Sequence, residues 1–77
     1  MRFRDLSLIP ETRQIGAVGR LGTYSILFDR QHPELKWSVT FKAHDKRDEP
    51  FVSLGDYLAT EQEAITIAEK HDAGQLQ

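Results

Sequence analysis

Between Leu35 and Ala43 apolar and polar residues alternate without a break. Leu35, Trp37, Val39, Phe41 and Ala43 take the odd positions and Lys36, Ser38, Thr40 and Lys42 the even ones. Successive side chains of a strand point to opposite faces, so this is the pattern of a half-buried β-strand. The stretch before it alternates in the same way, with Tyr24, Ile26 and Phe28 set against Ser25, Leu27 and Asp29. Between the two lies Gln31-His32-Pro33-Glu34, where proline resists helix and favours a turn. The expected unit is an antiparallel hairpin of residues 24–30 and 35–43, whose aromatic and β-branched residues share one face.

Downstream, Phe51-Val52-Ser53-Leu54 reads as a short third strand closed by Gly55-Asp56, with Tyr57-Leu58-Ala59 leading into a helix. Thr60-Glu61-Gln62-Glu63 matches a capping box. In that motif the threonine oxygen accepts from the Glu63 amide and the Glu63 carboxylate reaches back to the threonine amide. Glu61 and Glu63 in the first turn, and Lys70 and His71 in the last, complement the helix dipole. Ala64, Ile65, Ile67, Ala68 and His71 give a narrow apolar face suited to lie on a sheet. Gly74 is the expected stop, with a frayed tail over 74–77.

Upstream the pattern is weaker. Phe3–Ile9 begins to alternate but breaks at Leu8-Ile9, and Pro10-Glu11-Thr12 reads as a turn. Gly16, Gly19 and Gly22 recur at every third position, which suggests an irregular strand or loop ending in a tight turn near Leu21-Gly22. A phosphate-binding loop would need G-x-x-x-x-G-K-[ST] or G-x-G-x-x-G ahead of a helix. Neither is present, and a strand pattern follows. The expected fold is α+β: a three- or four-stranded antiparallel sheet with one C-terminal helix packed on its aromatic face, in the order β-β-β-α. It forms a single domain over residues 1–77 with an ordered core of about 13–72. In layout, over about residues 23–72, this resembles small uncharacterised bacterial and phage domains in which a strand hairpin precedes a capped helix containing Glu-Ala, a likeness that implies no activity.

Composition narrows what such a fold can do. With 77 residues there is room for one small core, which exceeds chain entropy by only about 3–5 kcal/mol and often relies on a disulfide, a metal or a partner subunit. Cysteine is absent, which removes disulfides, thiolate metal sites and thiol catalysis together and leaves self-association as the expected aid. No apolar run has signal-peptide or membrane-spanning character, so a cytoplasmic location and no membrane partner are expected. The net charge of −2 is unevenly placed. Residues 1–42 carry seven basic and four acidic side chains and residues 43–77 three and eight, a division suited to a charged partner or to a second copy.

Candidate chemistry is sparse. His32, His44 and His71 fall in a turn, at a strand end and at a helix end, without the i,i+3 or i,i+4 spacing of metal ligands. His44-Asp45 and His71-Asp72 are sequence neighbours, which on a regular element point in different directions. Ser7, Ser25, Ser38 and Ser53 lie in or near strands with no G-x-S-x-G turn. Asp45, Asp48 and Glu49 occupy an open charged loop where desolvation cannot raise a carboxyl pKa. No catalytic residue, metal site or cofactor is therefore expected.

The remaining candidate surface is the polar side of the hairpin: Lys36, Ser38, Thr40 and Lys42, with Arg20 as a further basic contributor. Two uses are expected of it. The first is docking to another protein, or to a second copy, as a small non-catalytic interaction domain. The alternative is a nucleic-acid accessory role in which Lys36, Thr40 and Lys42, extended by Arg2, Arg4, Arg13 and Arg20, contact phosphates without reading sequence. The aromatic residues are assigned to the face beneath the helix, which leaves Leu27 as the one large apolar side chain opposite.

Overall fold

A computed structural model describes residues 1–75, and the last two positions of the expected frayed tail, 76 and 77, lie outside the described residues. The chain forms β1 (Arg4–Asp5), β2 (Thr12–Val18), β3 (Gly22–Asp29), a single 3-10 turn (Pro33–Leu35), β4 (Trp37–Ala43), β5 (Val52–Leu58) and α1 (Glu61–Asp72). All neighbouring strands pair antiparallel in sequence order, a five-stranded meander with α1 laid against β3, β4 and β5. The α+β class and the C-terminal helix agree with the sequence pattern. The strand count does not, because both weakly patterned flanks join the sheet.

The glycine-rich segment is the larger surprise. It forms a regular strand, β2, in unbroken register with β3 from Thr12↔Asp29 to Val18↔Thr23. Backbone hydrogen bonds do not need side chains, so a glycine pairs wherever neighbouring strands hold it. Gly22 is required by close approach. A Cβ there would collide with the Lys42 carbonyl oxygen and lie 2.8 Å from the Ala43 Cα, both backbone atoms with no freedom to move aside. The amino terminus adds a two-residue edge: Arg4 pairs with Gly16 and Asp5 with Ile15, and the Leu6 amide donates to the Gln14 carbonyl (2.8 Å).

Register sorts the side chains onto two faces. Ile15↔Ile26, Ala17↔Tyr24, Tyr24↔Phe41, Ile26↔Val39 and Phe28↔Trp37 lie on the face toward the helix. The core there is Ile15, Tyr24, Ile26, Val39, Ala64 and Ala68, with Phe3, Trp37, Phe41, Leu54, Leu58, Ile65 and Ile67 packed around it. Its centre is therefore aliphatic apart from Tyr24, and the expected aromatic face is only partly realised. Phe28 and Trp37 stack at one margin (ring centroids 4.9 Å apart), both only half-buried. Ala64 and Ala68 are fully buried, and their small side chains let α1 approach Ile26 and Val39 closely.

Two further expectations are corrected. Leu35 does not belong to the β4 face. The 3-10 turn ends at Leu35, and Lys36 then takes φ 57° and ψ −153°, which breaks the alternation before Trp37. Gly55-Asp56 does not close the third strand either: β5 continues to Leu58 through two register shifts, between the pairs Trp37↔Leu58, Val39↔Gly55 and Thr40↔Ser53. These bulges each insert an extra residue in β5, and Tyr57 occupies the left-handed region at φ 57°.

The helix ends are held as the sequence suggests, with one shift. Thr60 Oγ1 accepts from the Glu63 amide (3.1 Å), but the Glu63 carboxylate accepts from the Ala59 amide (3.0 Å), one residue before the expected partner. At the other end the Gly74 amide donates to the His71 carbonyl (3.0 Å) and the Gln75 amide to the Lys70 carbonyl (2.8 Å). This is a Schellman closure, with Gly74 at φ 76°.

The helix C-terminus is also fastened to the β2–β3 turn. Asp72 Oδ2 accepts from the Arg20 amide (2.9 Å), while Oδ1 accepts from the Leu21 amide (2.8 Å) and from the Tyr24 hydroxyl (3.2 Å). Gly19 leaves room for this carboxylate, since a Cβ there would stand 2.6–2.8 Å from its atoms. Burial alone would raise the Asp72 pKa. The hydrogen bonds from Arg20, Leu21 and Tyr24, with the Arg20 charge, outweigh it and hold the carboxyl below its ordinary value. Burial, then the neighbouring Asp72 charge, pushes the Tyr24 hydroxyl up to about 12.

Candidate functional site

The sheet face opposite the helix has no element over it among the described residues. Along β2, β3 and β4 it presents Gln14, Gly16 and Val18, then Thr23, Ser25 and Leu27, then Ser38, Thr40 and Lys42, as the register requires. Its middle is a short polar network. Gln14 Nε2 donates to Ser25 Oγ (3.1 Å) and Thr40 Oγ1 to the Ser25 carbonyl (3.4 Å).

Three of the five sequence-derived candidates, Ser38, Thr40 and Lys42, stand together on β4, and Lys36 precedes them at its entrance. Arg20 is elsewhere. Its guanidinium donates from Nε and Nη2 to the Asp72 carbonyl (3.3 and 3.0 Å), so it caps the helix C-terminus at the β2–β3 turn and does not extend the basic face. Lys42 is partly engaged as well: its ammonium donates to the Arg47 carbonyl (3.2 Å) and lies 5.1 Å from the Phe51 ring centroid.

Leu27 is not alone on this side. Beside it, the 3-10 turn and the bulged end of β5 bring Leu35 and Tyr57 into one groove of about 370 Å³, which also includes Asp29, Lys36, Ser38 and Asp56. Leu27, Leu35 and Tyr57 are 39%, 48% and 65% exposed. Sequence alternation could not place the last two here, because each depends on a break in strand geometry. The two non-glycine residues at positive φ among the described residues, Lys36 and Tyr57, both line this groove. Such conformations cost of order 1–3 kcal/mol each and persist only where surrounding structure enforces them. Asp29 Oδ1 accepts from the Gln31 amide (2.9 Å) and Asp56 Oδ2 from the Ser53 hydroxyl (2.9 Å), which fixes both carboxylates. Among the described residues, none of Lys36, Asp29 and Asp56 forms an ion pair.

Several other titratable groups serve the scaffold. His71 and Asp72, neighbours expected to diverge, both reach Tyr24 because they occupy the last turn over the hairpin. His71 Nδ1 lies 2.7 Å from the Tyr24 oxygen and its ring packs on Phe41. With the hydroxyl proton directed to Asp72, that oxygen accepts from the His71 Nδ1–H. His44 Nε2 is 2.9 Å from the Gly19 carbonyl, and His32 pairs with Glu34 (3.4 Å). Arg13, considered as part of a basic surface, bridges Asp5 (3.1 Å) and Glu61 (3.4 Å). Among the described residues no three His, Asp or Glu side chains are grouped where a metal ion could sit, and no helix is long and apolar enough to cross a membrane. No family model, curated protein or solved structure matches the chain.

Proposed function

We propose that the chain is a small non-catalytic interaction domain that docks another protein surface through its uncovered sheet face, with a second copy as the favoured occupant. The observation that carries this reading is the groove on that face, where Leu27, Leu35 and Tyr57 are displayed to solvent between side chains of both charge signs. Size supports it too. The chain exposes 5313 Å², whereas a closed monomer of 8.8 kDa exposes about 4,800 Å². A stable dimer needs about 800 Å² from each partner, a modest share of that surface.

A phosphate-contacting role draws less support. Lys42 already has a carbonyl and a ring as partners, Arg20 and Arg13 are engaged elsewhere, Arg2 and Arg4 line a separate cleft with Gly16, Val18 and Thr23, and the net charge is −2.

Backbone amide NMR over a dilution series tests the docking reading residue by residue. Resonances of Leu27, Ser38 and Tyr57 should move with concentration, while those of Gln62 and Glu69 on the exposed side of α1 stay fixed. No shift at all up to millimolar concentration would overturn the second copy as its occupant, and shifts confined to the helix would overturn the docking reading itself. So would salt-sensitive binding of a short oligonucleotide that moves the same amides and is lost in a Lys36→Glu, Lys42→Glu variant.

A further inference from the structure

Three charged groups, Lys36, Asp29 and Asp56, line the open-face groove without an ionic partner among the described residues of their own chain. Both carboxylates are held in place, by the Gln31 amide and the Ser53 hydroxyl, whereas the Lys36 side chain has no such tether among the described residues. Leu27 and Leu35 add apolar lining, and Tyr57 is largely exposed. Two hydrogen-bonded carboxylates, an aromatic ring and apolar lining form a receptor for a cation on an aliphatic stem. Lys36 is such a group and lines the same groove, at φ 57° and ψ −153°, a conformation in which non-glycine residues are rarely found.

From this arrangement we infer that two copies meet by exchanging Lys36 across a two-fold axis, each ammonium entering the other's groove between Asp29 and Asp56 and beside Tyr57. The inference rests on the docking reading above and specifies its contacts. Two-fold symmetry requires the same patch on both copies, with the contact from residue i to residue j repeated from j to i, and a patch that carries both the key and the lock meets that condition. The same symmetry gives each of these charges a partner on the second copy. The β5 bulges take part, since the inserted residues turn Asp56 and Tyr57 into the groove.

The test is a charge exchange between two variants of the full chain, read by light scattering at several concentrations and salt levels. Lys36→Glu alone should weaken self-association at least about tenfold, and so should Asp29→Lys combined with Asp56→Lys, because each places like charges together. Mixed in equal amounts, the two variants should form a heterodimer close to wild-type affinity. The carboxylate introduced at position 36 of the first variant then meets the two lysines introduced in the second, and the second variant's Lys36 meets the carboxylates of the first. Asp56→Lys alone, which leaves the Asp29 hydrogen bond intact, should weaken association less and still be rescued by Lys36→Glu. Circular dichroism of each variant checks that the fold is retained. Undiminished self-association of both charge-altered variants, or no association in the mixture, would overturn the Lys36 exchange while leaving the docking face standing. A wild-type chain that stays monomeric would overturn the second-copy occupant proposed beneath it.

Discussion

Asp72 links the end of the helix to the β2–β3 turn, and Tyr24 completes the link from the middle of the sheet. Tyr24→Phe keeps the ring and its packing but leaves His71 Nδ1 and Asp72 Oδ1 each short of a partner. A loss of about 1–2 kcal/mol in chemical denaturation is expected. The two ionisations have opposite signs. Asp72 is held below its ordinary pKa, so its stabilisation is present above the unfolded value of 3.8 and is lost as pH falls through the lower folded value. Tyr24 is raised from 10.0 to about 12, so its contribution is complete below pH 10 and is lost as pH climbs through the folded value. Thermal melts across pH should show the alkaline loss in wild type and a smaller one in Tyr24→Phe.

Lys36 makes a different residue-scale prediction. Glycine adopts φ 57°, ψ −153° without steric penalty, so Lys36→Gly should stabilise the dilute monomer by about 1 kcal/mol after allowing for glycine's greater unfolded entropy. In a domain this small that shifts the melting midpoint by about 4–8 °C. Neither residue's role was legible in the sequence. Tyr24 read simply as a core-facing aromatic and Lys36 as one polar position in an unbroken alternation, because left-handed backbone and long-range hydrogen bonds leave no periodic trace.

Among the elements, the ones that read well are those whose side-chain periodicity and end signals agree. The β3–β4 hairpin kept its strand alternation from Tyr24 to Phe28 and from Trp37 to Ala43, and α1 starts at Glu61 behind the Thr60 cap that the sequence marks. Thr60→Ala removes the oxygen that accepts from the Glu63 amide and should cost about 1 kcal/mol in denaturant unfolding. Ala64→Leu tests the close approach of helix to sheet. A larger side chain at a fully buried position forces α1 away from Ile26 and Val39, with an expected loss of about 1–3 kcal/mol despite the added apolar surface. A gain in stability would show unfilled space beneath the helix. The elements that read poorly, β1, β2 and the far half of β5, lack apolar alternation. Their strand state comes from neighbours: β2 pairs along the whole of β3, and β5 follows β4 by means of its bulges.

For the molecule as a whole, the helix covers one face of the sheet, while among the described residues no helix or strand covers the other, where Leu6 lies over Gly16 at one end. Ser38, Thr40 and Lys42 were legible as that outer face, since strand alternation alone assigns them to it. The groove beside them was not, because Leu35 and Tyr57 arrive there through a 3-10 turn and a bulge. A chain of 77 residues with seven buried apolar side chains among the described residues, Ala17 beside the six of the core, gains from any surface that removes Leu27, Leu35 and Tyr57 from water. The most direct test is the solution mass of wild type and of a Leu27→Lys, Leu35→Lys variant, measured by light scattering from micromolar to millimolar concentration. Wild type should rise from 8.8 kDa toward twice that mass while the variant, equally folded, stays at 8.8 kDa. A wild type that remains at monomer mass throughout, or a variant that dimerises as readily, would contradict the assignment of this face to self-association.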